Sequence, residues 1–449
     1  MARPALKAAL FFGAGVLGAA MGATPAAALP SFARQTGLPC AMCHTVFPEL
    51  TEYGRQFKLN GYVWGGGDET SPRLAAMVLP SFTHTERGQS PEPAPRFGEN
   101  DNLALDAVSV FYGGKVWDKV GAFIQATYDG IGRRFSIDNT DIRFADSRNV
   151  GGSDLVYGVT LNNNPTVSDI YNTTPAWGFP FASSGLAPGP AAATLIEQAL
   201  AAQVGGAGVY AMYDGTFYIE GAVYQTLWKA FQTGLGLDTS GQADISGAAP
   251  YWRAALQRNW GVDYFSLGTF GMYAALRPGG MDGVGTDKFT DTGVDFQYQH
   301  LDRPHEVTFQ TSFIREYQNW DASFPLGGTA NPSDVLESFN AKTTYDYDHT
   351  YAASAGYFSV FGDSDMGLYA PGPIAGSLNG SPNSDGFIFE LDYLPFSWGG
   401  PDFWPWLNAK ISLQYVAYTE FNGATNNYDG FGRDAADNNT LYLSAWFMF

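Results

Sequence analysis

From about residue 74 to the end of the chain, apolar and polar positions alternate with a period of two, in one short segment after another. In Leu407 to Glu420, the residues Leu407, Ala409, Ile411, Leu413, Tyr415 and Ala417 share one face, and Asn408, Lys410, Ser412 and Gln414 share the other. Phe387, Phe389, Leu391 and Tyr393 alternate in the same way with Ile388, Glu390 and Asp392, and Val307, Phe309 and Phe313 with Thr308, Gln310 and Ser312. Such segments bury or grease one face only, as strands of a transmembrane barrel do. The pattern predicts sixteen of them, near 74–85, 102–115, 119–129, 138–146, 153–162, 207–213, 215–225, 250–258, 262–276, 287–300, 304–316, 336–347, 350–360, 385–394, 407–420 and 439–449. The last carries apolar residues at every odd position and closes on an aromatic, Phe449.

The connections alternate as well. Long gaps follow the first, fifth, seventh, eleventh, thirteenth and fifteenth segments, and short ones follow the second, sixth, tenth and twelfth. Long loops outside and short turns on the periplasmic side are the habit of outer-membrane barrels. The expectation is therefore an all-β fold: an antiparallel transmembrane barrel of about sixteen strands spanning 73–449, in contact with outer-membrane lipid. One connection breaks the rule, because 395–406 should be a short turn and instead reads "PFSWGGPDFWPW". In the longest gap, Ala191 to Val204 is Ala-rich with Leu195, Ile196 and Leu200 at helical spacing. It predicts a short helix on an outer loop, or a lid over the pore mouth.

Residues 1–28 read as a secretory signal: Arg3 and Lys7, an apolar stretch from Ala8 to about Ala20, then Ala26-Ala27-Ala28. The expected mature chain starts at Leu29 and works outside the cytoplasm. Only 15% of residues are charged, against about 25% in soluble proteins, and 15% are aromatic. The net charge of −20 argues against nucleic acid as a partner. It suits a surface that gathers metal cations, or simply solvated acidic loops.

Between the signal and the first strand lies a segment of another kind, residues 29–72. It holds both cysteines of the chain, in Cys40-Ala41-Met42-Cys43-His44. Two thiols two residues apart and a histidine immediately after form the attachment pattern of haem c, in which both thiols bond the macrocycle covalently and His44 ligates the iron. The competing readings are a disulfide, a thioredoxin-type redox pair and, less readily, a zinc site. Downstream, Phe47, Leu50, Tyr53 or Gly54, and Phe57 form a helical stripe able to cover a haem face or to dock on the barrel wall, with Pro48 and Glu49 suited to a first turn. Arg34, Arg55 and Lys58 are candidate partners of haem propionates. Met77, on the inward parity of the first strand, is the candidate distal iron ligand. His84 and an open sixth position are the alternatives.

About forty residues are too few to bury such a group alone. A c-type cytochrome segment inserted as a plug into the barrel from the periplasmic side would meet that need.

With these residues in place, the chain resembles the fused outer-membrane cytochrome–porins of iron-oxidising bacteria. The resemblance rests on Phe32-Ala33-Arg34-Gln35-Thr36-Gly37, on Cys40 to His44, and on Phe57-Lys58-Leu59-Asn60-Gly61-Tyr62, about thirty residues in all, followed by a barrel of matching length. It implies one haem c on Cys40 and Cys43 ligated by His44, and an electron path from extracellular Fe(II) to a periplasmic carrier. Oxidation at the outer surface would keep insoluble Fe(III) outside. Acidic loop residues such as Asp363 and Asp365 are candidates for attracting Fe(II), or ordinary turn carboxylates. An electron conduit for another redox partner and a transport pore plugged by a haem segment are the two alternatives.

Overall fold

The computed structural model describes residues 29–68, 70–234 and 244–449; the predicted signal peptide, 1–28, lies outside the described residues. Strands are β1 (Leu74–Thr85), β2 (Asn102–Trp117), β3 (Val120–Asp129), β4 (Arg134–Val150), β5 (Ser153–Asn162), β6 (Val204–Tyr213), β7 (Phe217–Thr226), β8 (Asp244–Ile245), β9 (Ala249–Trp260), β10 (Asp263–Arg277), β11 (Asp287–Asp302), β12 (His305–Asn319), β13 (Ser333–Tyr347), β14 (Tyr351–Gly362), β15 (Ser384–Tyr393), β16 (Asn408–Glu420) and β17 (Thr440–Met448). Apart from the two-residue β8, each strand pairs antiparallel with its sequence neighbours, β7 pairs with β9, and β17 returns to β1. The fold is a closed antiparallel barrel of sixteen strands, so no edge is left unpaired.

All sixteen predicted segments are strands. The largest difference is β4, which runs from Arg134 to Val150 where the apolar alternation reached only 138–146. An arginine interrupts the alternation at each end, Arg134 and Arg148, while the sheet continues past the pattern that announces it. The two residues of β8 carry too little periodicity to be seen.

The outer face is apolar. Leu103, Val209, Ile219, Val294, Leu391 and Leu443 are exposed on it, in a band far wider than a water-soluble surface tolerates. Aromatic residues gather at the short-turn rim: Tyr213, Trp260, Tyr347, Tyr351 and Tyr393 are exposed there, and the Tyr351 and Tyr393 rings stack at 5.2 Å. An apolar belt with an aromatic girdle is the surface of a membrane-spanning barrel of the outer-membrane type.

Inward positions are polar and charged, and they are neutralised in pairs: Arg143 with Asp141 at 2.6 Å, Arg253 with Asp295 at 2.8 Å, and Lys410 with Glu390 and Asp392 at 3.2 and 3.1 Å. Lys410 faces inward as the alternation predicts. It does not face open water, because the lumen is filled.

Two stretches fill it. The N-terminal segment, with helices α1 (Pro30–Thr36) and α2 (Glu52–Leu59), touches inward residues around the ring: Lys115 of β2, Asp141 of β4, Tyr210 of β6, Gln299 of β11, Lys342 of β13 and Asn408 of β16. The β5–β6 connection, 163–203, folds inward beside it with Val167, Ile170, Tyr171 and Trp177 buried. Leu195–Ala199 forms one π-helical turn, and the backbone N–H groups of Leu195 and Ile196 donate to Glu316 and Asp291 at 2.6 and 2.8 Å. The Ala-rich stretch is therefore inside the barrel rather than on an outer loop. Its unpaired N–H groups find buried wall carboxylates there.

Candidate functional site

The cysteine motif is one tight turn. The N–H groups of Cys43 and His44 both donate to the Cys40 carbonyl at 3.0 Å. This winding keeps both thiols and the imidazole on one short stretch of backbone. Barrel residues clamp it: Ala41 N–H donates to the Ser397 carbonyl at 3.0 Å, and Asn408 Nδ2 lies 3.2 Å from Cys40 Sγ. Ser397 belongs to the 394–407 connection that broke the short-turn rule. Its aromatics meet both plug and barrel: Arg34 packs over the Trp406 ring at 4.3 Å, and Trp398 packs on His349 of the β13–β14 turn at 4.9 Å.

The segment after the motif departs from the predicted helix. Phe47 to Leu50 is not helical, because Glu49 is drawn into the wall, where it accepts from Lys342 at 2.6 Å and Thr344 at 2.7 Å. Helix α2 starts at Glu52, capped by the Thr51 hydroxyl, which accepts from Gly54 N–H at 3.4 Å. Thr51 also ties the helix to the motif, donating its N–H to the Cys43 carbonyl at 3.0 Å and its hydroxyl to the Met42 carbonyl at 2.5 Å. The two pieces meet at Gly54, where a Cβ would stand 2.2 Å from the Cys43 carbonyl oxygen. No larger residue fits without moving the motif.

Cys40, Cys43 and His44 line one cleft. Its walls are chiefly apolar, with Phe32, Phe47, Leu50 and Phe57 from the plug, Phe123 from β3 and Trp177 from the inward loop. The predicted stripe does face the cleft, except Tyr53, which is exposed. A second, smaller cavity lies against Cys40 and His44 and is bordered by Asn408, Trp446 and Met448.

His44 Nδ1 lies 3.1 Å from the Glu49 carbonyl oxygen, which only accepts, so the proton is on Nδ1 and Nε2 keeps its lone pair. A backbone carbonyl holding the far nitrogen is how metal-ligating histidines are oriented. Burial lowers the imidazole to about 4, so the ring is neutral at ordinary pH. The thiols behave in the opposite sense. Burial raises Cys40 to about 11 and Cys43 to about 12. A dithiol redox pair needs a stabilised thiolate, and this environment disfavours one. Both are free thiols. Two thiols and an anchored imidazole at the edge of an apolar cleft are the donor set that a haem c would take.

The predicted propionate partners separate. Arg34 donates to the Leu74 carbonyl at 2.5 Å, and Arg55 to the Leu50 carbonyl at 2.6 Å and to Gln299 at 2.7 Å while stacking over Tyr264 at 3.4 Å. Both guanidinium groups fasten the plug to the barrel instead of bordering the cleft. Lys58 does border it, with its amine 2.9 Å from Asn172 Oδ1 and 4.0 Å above the Trp177 ring. Burial, with Arg143 nearby, lowers that amine to about 7.

Met77 points inward as its parity predicts. It is fully buried among Phe111, Trp446 and Met448 and is not among the residues lining the cleft. His84 pairs with Asp101 at 2.7 Å at the opposite end of β1. Asp363 and Asp365 organise loops, Asp365 accepting from the N–H groups of Ala330, Asn331, Gly367 and Leu368.

Sequence reasoning missed Phe123, Asn172, Trp177, Asn408 and Met448. The inward parity of β3, β16 and β17 was readable for Phe123, Asn408 and Met448, but not which inward residue meets the motif. For Asn172 and Trp177, in a loop without periodicity, there was no signal.

No protein-family model matches the chain, and no curated relative matches it. Among solved structures it is similar to OmpT of Vibrio cholerae (10% identity, covering 85% of this chain and 99% of that one, TM-score 0.42), to OprB of Pseudomonas putida (11%, 84% and 93%, 0.47) and to OmpF of Salmonella typhi (11%, 84% and 97%, 0.48).

Proposed function

We propose that this chain is an outer-membrane electron-transfer protein, in which a haem c held by Cys40, Cys43 and His44 supplies a one-electron centre between extracellular Fe(II) and a periplasmic carrier. The observation that carries the reading is the convergence of both thiols and an anchored, neutral imidazole on one apolar cleft inside a membrane-spanning barrel.

The chain's own residues have definite parts in it. Glu49 holds His44 in the orientation that offers Nε2, Thr51 and Gly54 fix the thiol turn against α2, and Phe32, Phe57 and Trp177 exclude water.

On the loop side, a wider cavity of mixed lining shares Asn172 and Trp177 with the cleft. It supports an approach to the cleft from outside. It also favours a second reading, a solute pore that the plug obstructs.

The test is anaerobic addition of Fe(II) to the purified, air-oxidised protein, followed through the visible haem bands. Prompt reduction supports the proposal, whereas a haem that dithionite reduces and Fe(II) does not would move the electron donor elsewhere. Ion conductance in planar bilayers addresses the pore: steady conductance through the intact protein would favour it.

A further inference from the structure

At the short-turn rim, on the opposite side of the motif backbone from the cleft, three buried side chains converge: Glu306 near the start of β12, Asp346 near the end of β13, and His349 in the turn that follows. Their exposures are 4%, 2% and 2%. One potential donor atom from each lies within 4.8 Å of the others.

The protonation of the ring follows from its neighbour. His349 Nδ1 lies 2.9 Å from the His44 carbonyl oxygen, which has no proton to give, so Nδ1 carries the hydrogen. Nε2 then faces Glu306 Oε2 at 3.0 Å. That contact is the ion pair of the cluster, whereas Asp346 Oδ2 has no hydrogen-bond partner, although Asp346 Oδ1 accepts from the His349 N–H at 2.6 Å. A buried carboxylate oxygen without a partner is expensive, and this one stands beside the Glu306–His349 contact.

We infer that Glu306, Asp346 and His349 bind a divalent transition-metal ion. As metal ligands, two ionised carboxylates and a neutral imidazole would carry a charge of −2, which one such ion cancels. An N,O,O set of this kind suits zinc, manganese or ferrous iron. Ligands about 2.0–2.2 Å from a common ion stand roughly 3 Å or slightly more apart, and the Nε2 to Oε2 separation is already there. The bond from Nδ1–H to a backbone carbonyl is the outer support that metal-bound imidazoles use. In this case the carbonyl belongs to His44. The site does not depend on the haem reading, since none of its three ligands borders the cleft.

The experiment uses the intact protein in detergent, stripped with a chelator, equilibrated with micromolar Zn²⁺ and passed through a desalting column before elemental analysis. Zinc is the probe because, unlike Fe(II), it cannot reduce a haem. The expected result is one zinc retained per chain, with affinity weakened about tenfold or more in Glu306→Gln and in His349→Gln. Heat-dependent gel mobility checks that each variant still forms the barrel. If a variant does not fold, anomalous diffraction at the zinc edge from soaked wild-type crystals takes its place, with a peak expected among the three side chains. Wild-type protein that retains no zinc, zinc retained equally by His349→Gln, or a peak elsewhere would overturn the assignment and leave an ion pair only.

Discussion

Residues 29–68 and 163–203 both fold into the lumen and both border the same cleft, but they are held there in different ways. The N-terminal segment reaches the wall with charged side chains: Glu49 to Lys342, Arg55 to Gln299, and Arg34 to the Leu74 carbonyl. The loop meets the wall through one acid, short hydroxyl side chains and its backbone: Asp169 pairs with Arg253 at 3.2 Å, Ser168 and Thr173 donate to Glu220 and Asp295 at 2.6 Å, and the N–H groups of Leu195 and Ile196 donate to Glu316 and Asp291. Asp169 also accepts from the N–H groups of Tyr171, Thr173 and Thr174. Long charged side chains in a short segment stand out in a sequence. Serine and threonine hydroxyls and backbone N–H groups do not, because any loop offers them.

Breaking the motif should have the largest effect. Cys43→Ala is expected to abolish covalent haem, read as loss of haem stain on a denaturing gel, while the loop variant Trp177→Ala keeps the stain. If Trp177→Ala also lost covalent haem, the division of labour between the two segments would be wrong.

Trp177→Ala should act on stability and on the cleft instead. Trp177 is 7% exposed and stacks on Phe181 at 6.0 Å. Its truncation is expected to cost about 3–5 kcal/mol in urea unfolding and to shift the visible bands. An unchanged midpoint would mean that the loop does not support the lumen.

Two smaller effects belong to the plug. Gly54→Val puts branched carbon against the Cys43 carbonyl and is expected to lower stability by about 1–3 kcal/mol and to reduce haem yield. Lys58 gives a pH dependence. Its folded value, about 7, is below the unfolded 10.5, so between these values the unfolded chain binds more protons and stability rises with pH. Below pH 7 both states are protonated and the burial penalty is felt in full. Lys58→Met should flatten this rise; a wild-type midpoint constant from pH 7 to 10 would show that the amine stays charged.

The barrel was legible to within a few residues, because a period of two recurs wherever one face meets lipid and the other does not. The ends of β4 escaped since Arg134 and Arg148 interrupt the apolar face without ending the hydrogen-bond ladder. The spacing of Cys40, Cys43 and His44 was readable as a motif, but which acceptors Arg34, Arg55 and Lys58 meet was not, because sequence shows a charge and not its partner. The 394–407 connection was legible only as an anomaly, and its aromatics make sense once Arg34, Arg303 and His349 are seen to pack on Trp406 and Trp398.

The most direct test of the account is the intact mass and pyridine spectrum of the wild-type protein produced with cytochrome c maturation. The account predicts one haem per chain, resistant to acid–acetone extraction, on the peptide holding Cys40 and Cys43. A chain without haem, or haem that extracts freely, would contradict it.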